Sequence, residues 1–152
     1  MAQGILRSLL PPEITERAAV ASAGTGTIEG APATQLAIRT CAEHGIDISA
    51  HRSIGLTAGL LRESDLILGM EPSHNDRARE LAPDAADRIH LITMRGAAPG
   101  PTASNGVVDP LGGSADLYRD TFNRIRSHLV EWVPVIRDAV ERREGARRQS
   151  DP

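Results

Sequence analysis

The chain has 152 residues, of which 40% are hydrophobic and 24% charged, a composition that fits one compact domain and excludes a largely disordered chain. Its net charge of −3 arises from 20 acidic residues and 17 arginines, with no lysine, and this scattered charge does not indicate a nucleic-acid partner. A single cysteine excludes an internal disulfide, and without a long apolar stretch or a signal-peptide pattern we expect no membrane segment and a cytoplasmic location.

Helical and strand-like segments alternate along the chain, which predicts an α/β fold with a mainly parallel sheet. Residues 1–10 place their apolar side chains on one helical face and stop at Pro11, so they predict an amphipathic helix. The small apolar run 18–23 predicts a strand. Pro32 suits the first turn of a second helix, which places Cys41 on its buried face.

The second half of the chain predicts three more helices and two more strands. Thr57 is predicted to cap a helix, and the apolar run 65–70 predicts a strand buried on both faces. Another helix starts at Pro72, and residues 89–92 predict the last strand. A long helix from Ser114 presents an apolar face at helical spacing, formed by Leu117, Phe122, Ile125, Leu129 and Trp132.

Two segments are predicted to lie outside regular elements. Residues 95–106 are rich in Gly, Pro, Ala and Ser and predict a long loop, which usually carries function or disorder. Residues 144–152 predict a disordered tail, so that the single domain occupies residues 1–143.

Five short motifs in the chain resemble those of low-molecular-weight protein tyrosine phosphatases in order and spacing. The resemblance covers nearly the whole chain and implies a three-layer αβα fold with a four-stranded parallel sheet. It also implies hydrolysis of a phosphotyrosine protein or small aryl phosphate through a cysteinyl-phosphate, without a metal or other cofactor. The motifs are MAQGILR at 1–7, SAGTG at 22–26, EHGIDISAHR at 43–52, MEPSH at 70–74 and DPLGGS at 109–114.

The nucleophile loop of that family, a Cys followed by five residues, Arg and Ser, does not occur in this sequence. In relatives the loop joins an internal first strand to the helix that matches residues 1–10. We therefore expect this chain to lack that strand and to be inactive as written, and a start site assigned too late is the favoured explanation. A pseudophosphatase or binding module is the alternative, whereas an arsenate reductase would require additional cysteines.

Cys41 does not replace the missing nucleophile. It lies inside a predicted helix, and the residue six positions on, where the family has arginine, is Asp47. A cysteine on the buried face of a helix is expected to behave as a small apolar core residue.

Five residues match functional positions of the family. Asp109 corresponds to the general acid and base that protonates the leaving phenolate and then activates water. Ser22 and His51 correspond to residues that hold the nucleophile loop in shape. Ile28 and Leu111 occupy the substrate walls, where many relatives have aromatic rings, so the recognition of an aryl group rests here on aliphatic side chains.

An absent internal strand would leave its two neighbours, residues 18–23 and 65–70, without a partner on one side. We expect a slot between them, with Ser22, His51 and Asp109 converging on it. Unpaired strand edges recruit other chains, so we also expect self-association through this exposed edge.

Overall fold

A computed structural model of the chain describes residues 1–94 and 106–150, with side chains through Arg143. Helices alternate with two short strands, which confirms the α/β class. The α-helices are α1 Ala2–Leu9, α2 Pro12–Thr15, α3 Gln35–Ala42, α4 Ala58–Glu63, α5 Pro72–Leu81 and α6 Ala115–Ser150, and 3₁₀ turns span Pro83–Arg88 and Ile92–Met94. None of the helices in these described ranges is long and apolar enough to cross a bilayer.

Strands β1, Ile67–Gly69, and β2, Ile89–Leu91, pair in parallel, with Leu68 opposite His90. Successive side chains of a strand point to opposite faces, so β1 can serve two cores. Leu68 packs on a core formed by α1, α3 and α6, whereas Ile67 packs on a second core formed by α4, α5 and the following 3₁₀ turn. The sheet therefore lies between two helical layers.

The larger core positions α1. Ile5 of α1 and Cys41 of α3 are both fully buried beside Phe122 of α6. Burial of a side chain of this size contributes roughly 1.5–3 kcal/mol, and among the helices and strands α1 packs mainly on α6. The position of α1 therefore depends on its contact with α6.

Two of the predicted helix starts can be compared with the structure. Thr57 caps α4 as predicted, because its Oγ1 accepts a hydrogen bond from the Leu60 N–H at 3.2 Å. The start predicted at Pro32 is wrong, since α3 begins at Gln35 and Thr34 is its cap. Pro32 instead lies in an isolated antiparallel bridge with Arg52, where a proline ring is compatible with the extended backbone.

The strand predicted at residues 18–23 is not formed, and this prediction is wrong. None of these side chains is buried, and the Val20 carbonyl accepts hydrogen bonds from Gln3 Nε2 (3.0 Å) and from Arg7 (2.7 Å) instead of from a strand. Short alanine and serine side chains bury little apolar area, so packing alone does not stabilise this segment as a strand. It would need a neighbouring strand to pair with. The described residues form a two-stranded sheet, and the four-stranded sheet implied by the resemblance is not seen among them.

Two predictions of burial also need correction. The run 65–70 was expected to be buried on both faces, but β1 is only half-buried, since its described strand partner is β2 alone. Leu117 was placed on the buried face of the long helix, yet it is 40% exposed and Tyr118 is buried in its place. The Tyr118 hydroxyl accepts a hydrogen bond from Thr34 at 3.1 Å, which gives this buried phenol a polar partner.

The predictions of a long loop at residues 95–106 and of a disordered tail at residues 144–152 remain predictions. The loop at 95–106 lies outside the described residues apart from Gly106. For the tail, the helical backbone is described as far as Ser150, while the side chains beyond Arg143 are not.

Candidate active site

A cleft of about 630 Å³ opens beside the first turn of α1. Its walls are formed by α1, by residues 21–22 and by the turn at residues 45–54, which include Ser22 and His51. The structure therefore brings together the two residues that the resemblance assigns to the support of the nucleophile loop. Asp109 does not line this cleft, so the expected convergence of all three side chains is only partly seen.

Ser22 is held against α1 by side-chain hydrogen bonds. Its Oγ donates to Gln3 Oε1 at 2.8 Å, and Gln3 Nε2 donates in turn to the Val20 carbonyl at 3.0 Å. Arg7 binds the same carbonyl at 2.7 Å. Gln3 and Arg7, one helical turn apart on α1, thus fix the backbone that carries Ser22.

Gln3 and Arg7 both line the cleft, but neither is among the site residues predicted from the sequence. Their separation of four residues places them on one face of the helix, and this face differs from the apolar one. A polar pair at this spacing, in the segment that matches the first motif of the family, is the signal that could have identified them.

His51 is half-buried in a turn that is well ordered by hydrogen bonds. Its N–H donates to the Ile48 carbonyl at 3.1 Å, and its own carbonyl accepts from Arg52 at 2.8 Å. Burial lowers the pKa of His51, and the positive charges of the amino terminus, Arg52 and Arg7 lower it further. At neutral pH the imidazole is therefore uncharged and can both donate and accept a hydrogen bond.

The charge around the cleft is mainly positive. Arg7 and Arg52 line it, and Asp47 is the carboxylate among the lining residues. Asp47 Oδ1 accepts from the Ser49 N–H at 2.8 Å, a hydrogen bond that lowers the pKa of Asp47 and keeps it ionised. The carboxylate is thus engaged with the turn, while the N–H groups of the first turn of α1 add partial positive charge. Such an environment suits an anion.

Asp109 lies in a turn that leads into α6. Its Oδ1 accepts a hydrogen bond from the Leu111 N–H at 3.0 Å, the pattern of an Asx turn, and its side chain is exposed. Upstream, the Val107 N–H donates to the Met70 carbonyl at 2.7 Å, just after β1. Asp109 is therefore tied to the carboxyl end of the parallel strands, the edge where ligands bind in open α/β sheets.

Ile28 and Leu111 are both strongly exposed, at 81% and 70%, and neither lines the cleft. Leu111 follows the Asp109 turn directly, so its position is set by the same hydrogen bond. Ile28 belongs to a separate loop that is anchored on residues 52–56. The two aliphatic side chains are thus available for contact with another molecule.

Cys41 is buried in α3, as expected. Its exposed fraction is zero, and burial raises the pKa of its thiol, so a thiolate is disfavoured there. The side chain packs among Ile5 and Phe122 in the larger core. No group of three or more His, Cys, Asp and Glu side chains in the described ranges is arranged to hold a metal ion.

The chain is similar to several bacterial phosphatases. It is 31% identical over 137 residues to the probable low molecular weight protein-tyrosine-phosphatase EpsP of Ralstonia nicotianae, a match that covers 90% of this chain and 86% of that protein. It is 30% identical over 132 residues to the corresponding probable phosphatase AmsI of Erwinia amylovora, which covers 84% of each. Among solved structures, Wzb of Vibrio vulnificus in complex with benzylphosphonate superposes with a TM-score of 0.74 and 26% identity, covering 88% of this chain and 86% of that one.

The profile of one protein family, low molecular weight phosphotyrosine protein phosphatase, matches residues 1–144. This span includes the cleft beside α1, the Asp109 turn and both cores. It agrees with the resemblance of the five sequence motifs and with the similarity to the curated relatives. The chain belongs to the low molecular weight phosphotyrosine protein phosphatase family.

Proposed function

We propose that the protein is a phosphatase that hydrolyses phosphotyrosine monoesters through a cysteinyl-phosphate. The observation that carries this proposal is the cleft at the first turn of α1, with Ser22 and His51 on its walls, in a chain of this family. Names of the similar proteins support the same reaction, since EpsP and AmsI are described as probable protein-tyrosine phosphatases. The expected substrate is a phosphotyrosine protein or a small aryl phosphate.

The reaction needs a thiolate, an anion cradle and a general acid. The thiolate attacks phosphorus while the bond to the phenolic oxygen breaks, and Asp109 donates its proton to that oxygen. Water then attacks the cysteinyl-phosphate, Asp109 accepts a proton from it, and the bond to sulfur breaks to release phosphate. The exposed Asp109 side chain, fixed by its Asx turn, is accessible to a bound substrate.

Ser22 and His51 are proposed to support the nucleophile loop. The Ser22 hydroxyl donates to Gln3 and retains acceptor capacity, and the uncharged His51 imidazole has both a donor and an acceptor. Both residues lie on the cleft beside the helix that the loop would enter. They can therefore bind its backbone from one side while the helix N-terminus lowers the pKa of the thiol.

Ile28 and Leu111 are the proposed substrate walls. An aliphatic side chain packs against an aryl ring, but without the roughly 0.5–1.5 kcal/mol that a pair of aromatic rings adds beyond burial. We therefore propose weaker selectivity for the phenol ring than in relatives with aromatic walls. The accompanying thiolate chemistry is proposed to take place in the cytoplasm, where thiols stay reduced.

The polypeptide 1–152 by itself is proposed to be inactive. Its sequence contains no Cys followed by five residues and Arg, and its one cysteine is buried in α3. Catalysis can be tested in a variant to which a strand and a Cys-x5-Arg loop are added ahead of Met1, and we call this variant the completed chain. A binding module without catalysis is the alternative, but the family match and the names of the similar proteins favour the phosphatase over it.

The general-acid role is tested by Asp109→Asn in the completed chain. A lost general acid reduces turnover by about 10²–10⁴ for esters with poor leaving groups, and by less for good ones, because good leaving groups depart without a proton. Turnover of a series of aryl phosphates with phenols of different pKa measures this difference. Asp87→Asn, another exposed aspartate, serves as the matched control and should leave the series unchanged. An equal loss for every leaving group would contradict the assignment.

A further inference from the structure

The loop of residues 24–31, which carries Ile28, is tied at both ends to the segment of residues 52–56. Four backbone hydrogen bonds of 2.8–3.0 Å join the two segments. Donor first, they are Gly24 N to Ile54 O, Leu56 N to Gly24 O, Gly30 N to Ser53 O and Ser53 N to Ala31 O. The ends of the loop are thereby fixed, while the residues around Ile28 need other support.

The Ser53 hydroxyl supplies part of that support. Its Oγ donates a short hydrogen bond to the Ile28 carbonyl and accepts one from the Ala31 N–H at 3.0 Å. One side chain thus binds the backbone of the loop at two points, on either side of Glu29 and Gly30. Ser53 is 25 residues away from Ile28 in the sequence, so this contact depends on the fold and not on a local turn.

Glu29 supplies the second contact in the opposite direction. Glu29 directly follows Ile28 in the chain. Its Oε2 accepts a hydrogen bond from the Gly55 N–H at 2.8 Å. A carboxylate that accepts from a backbone N–H forms one of the stronger protein hydrogen bonds. The loop and the 52–56 segment are therefore linked by side chains from both partners.

These hydrogen bonds do not hold the loop against a hydrophobic core. No side chain between Gly24 and Ala31 is buried, and Ile28 is 81% exposed. The loop includes Gly26, and Gly30 adopts a φ of 71°, so without the contacts its backbone would sample many conformations. What the hydrogen bonds fix is the direction in which Ile28 projects from the surface.

We propose that Ser53 and Glu29 are positioning residues that hold Ile28 as a rigid wall for the organic group of the substrate. This inference rests on the proposed function. A preorganised wall binds a ring without the loss of loop entropy that a mobile loop would suffer on binding. The two residues therefore set the preference for aryl over small alkyl phosphate esters, although neither contacts the reacting atoms.

The first test is hydrogen exchange of backbone amides in 1–152. We expect Ser53→Ala to accelerate exchange at the Ala31 N–H, and Ser53→Thr, which retains a hydroxyl, to restore protection. Glu29→Gln should accelerate exchange at Gly55 by a smaller factor, since an amide oxygen still accepts. Ser127→Ala, which removes a hydroxyl bonded within α6, is the matched control and should leave both amides unchanged. Unchanged exchange in Ser53→Ala would overturn the proposal.

The second test measures selectivity in the completed chain with two non-hydrolysable probes. Benzylphosphonate presents a ring to the wall, whereas methylphosphonate does not. Loss of one or two neutral hydrogen bonds corresponds to about a fivefold to thirtyfold weaker binding, and Ser53→Ala should show it for benzylphosphonate only. Ser53→Thr should recover the affinity.

Equal weakening of both probes, or no change in their ratio, would show that the contacts only stabilise the loop and would overturn the proposal. Binding of the probes is measured by titration and needs no turnover. A completed chain that binds both probes but hydrolyses nothing would therefore contradict the proposed function, while the ratio of affinities would still decide the role of Ser53 and Glu29.

Discussion

The polar side chains around the cleft are held in fixed orientations by their surroundings. Ser22 is tied to Gln3, so its hydroxyl does not need to reorient when an anion enters. His51 is kept uncharged by burial and by the positive charges around it. Groups arranged in this way lose little free energy to reorganisation, which is the main contribution of a protein to charge stabilisation at an active site.

The lowered pKa of His51 predicts how stability depends on pH. Protonation of this side chain is easier in the unfolded chain than in the folded one, so the unfolded state binds more protons as the pH falls through the normal histidine range. The stabilisation is present above that range and is lost on acidification toward the lowered folded-state pKa. Urea unfolding of 1–152 at several pH values between 5 and 8 should show this loss.

The contribution of His51 is isolated by His51→Gln, which should flatten the pH dependence. His128→Gln, on α6 and away from the cleft lining, is the matched control and should retain the slope of the unsubstituted chain. A His51→Gln chain that loses stability on acidification as steeply as the unsubstituted one would contradict this account of His51.

At the scale of elements, the Asp109 turn depends on one close backbone contact. Gly106 has a φ of 66°, and a Cβ added there would lie 2.1 Å from the Met70 carbonyl oxygen. The next residue, Val107, donates its N–H to that same oxygen at 2.7 Å. A side chain at position 106 would therefore push the turn away from the end of β1.

Gly106→Ala is expected to destabilise 1–152 more than Gly112→Ala. Both glycines have positive φ, but a Cβ at Gly112 meets no atom within 4 Å. Backbone strain alone costs about 1–2 kcal/mol, whereas strain with a backbone clash should cost about 3 kcal/mol or more. Chemical unfolding of the two variants measures the difference. Equal losses would show that the contact with Met70 does not hold the turn.

Elements with local signals could be predicted from the sequence, and those that need a distant partner could not. Thr57 and the buried Cys41 follow from a cap residue and from helical spacing, and strand Ile89–Leu91 lies within the predicted strand 89–92. The small apolar run 18–23 predicts a strand, but a strand exists only beside another strand. The link between Ser53 and Ile28 leaves no pattern in the sequence, since it joins residues 25 positions apart.

At the scale of the whole molecule, two helical cores are joined by a sheet of only two described strands. In a parallel pair, alternate residues direct their backbone groups to opposite edges, so half of those in β1 face away from β2. In residues 19–23 the backbone N–H groups have no backbone partner among the described parts of the chain. Both features favour pairing with a further strand.

We therefore expect 1–152 to self-associate as its concentration increases. Sedimentation velocity at several concentrations measures this directly. Ala23→Lys places a charge on the exposed 18–23 segment and should reduce association, because lysine on an open edge opposes strand pairing. Ala139→Lys, on the half-buried C-terminal part of α6, is a control for added charge. A chain that sediments as a monomer at every concentration would contradict the prediction.

The most direct test of the proposed phosphatase is hydrolysis of an aryl phosphate by 1–152 and by the completed chain, each with and without Cys41→Ser. We expect no turnover above buffer for 1–152. We expect turnover by the completed chain that survives Cys41→Ser, since Cys41 is buried in α3 with a raised pKa. Turnover by 1–152 that disappears with Cys41→Ser, or a completed chain that binds phosphate without hydrolysing the ester, would contradict the proposed function.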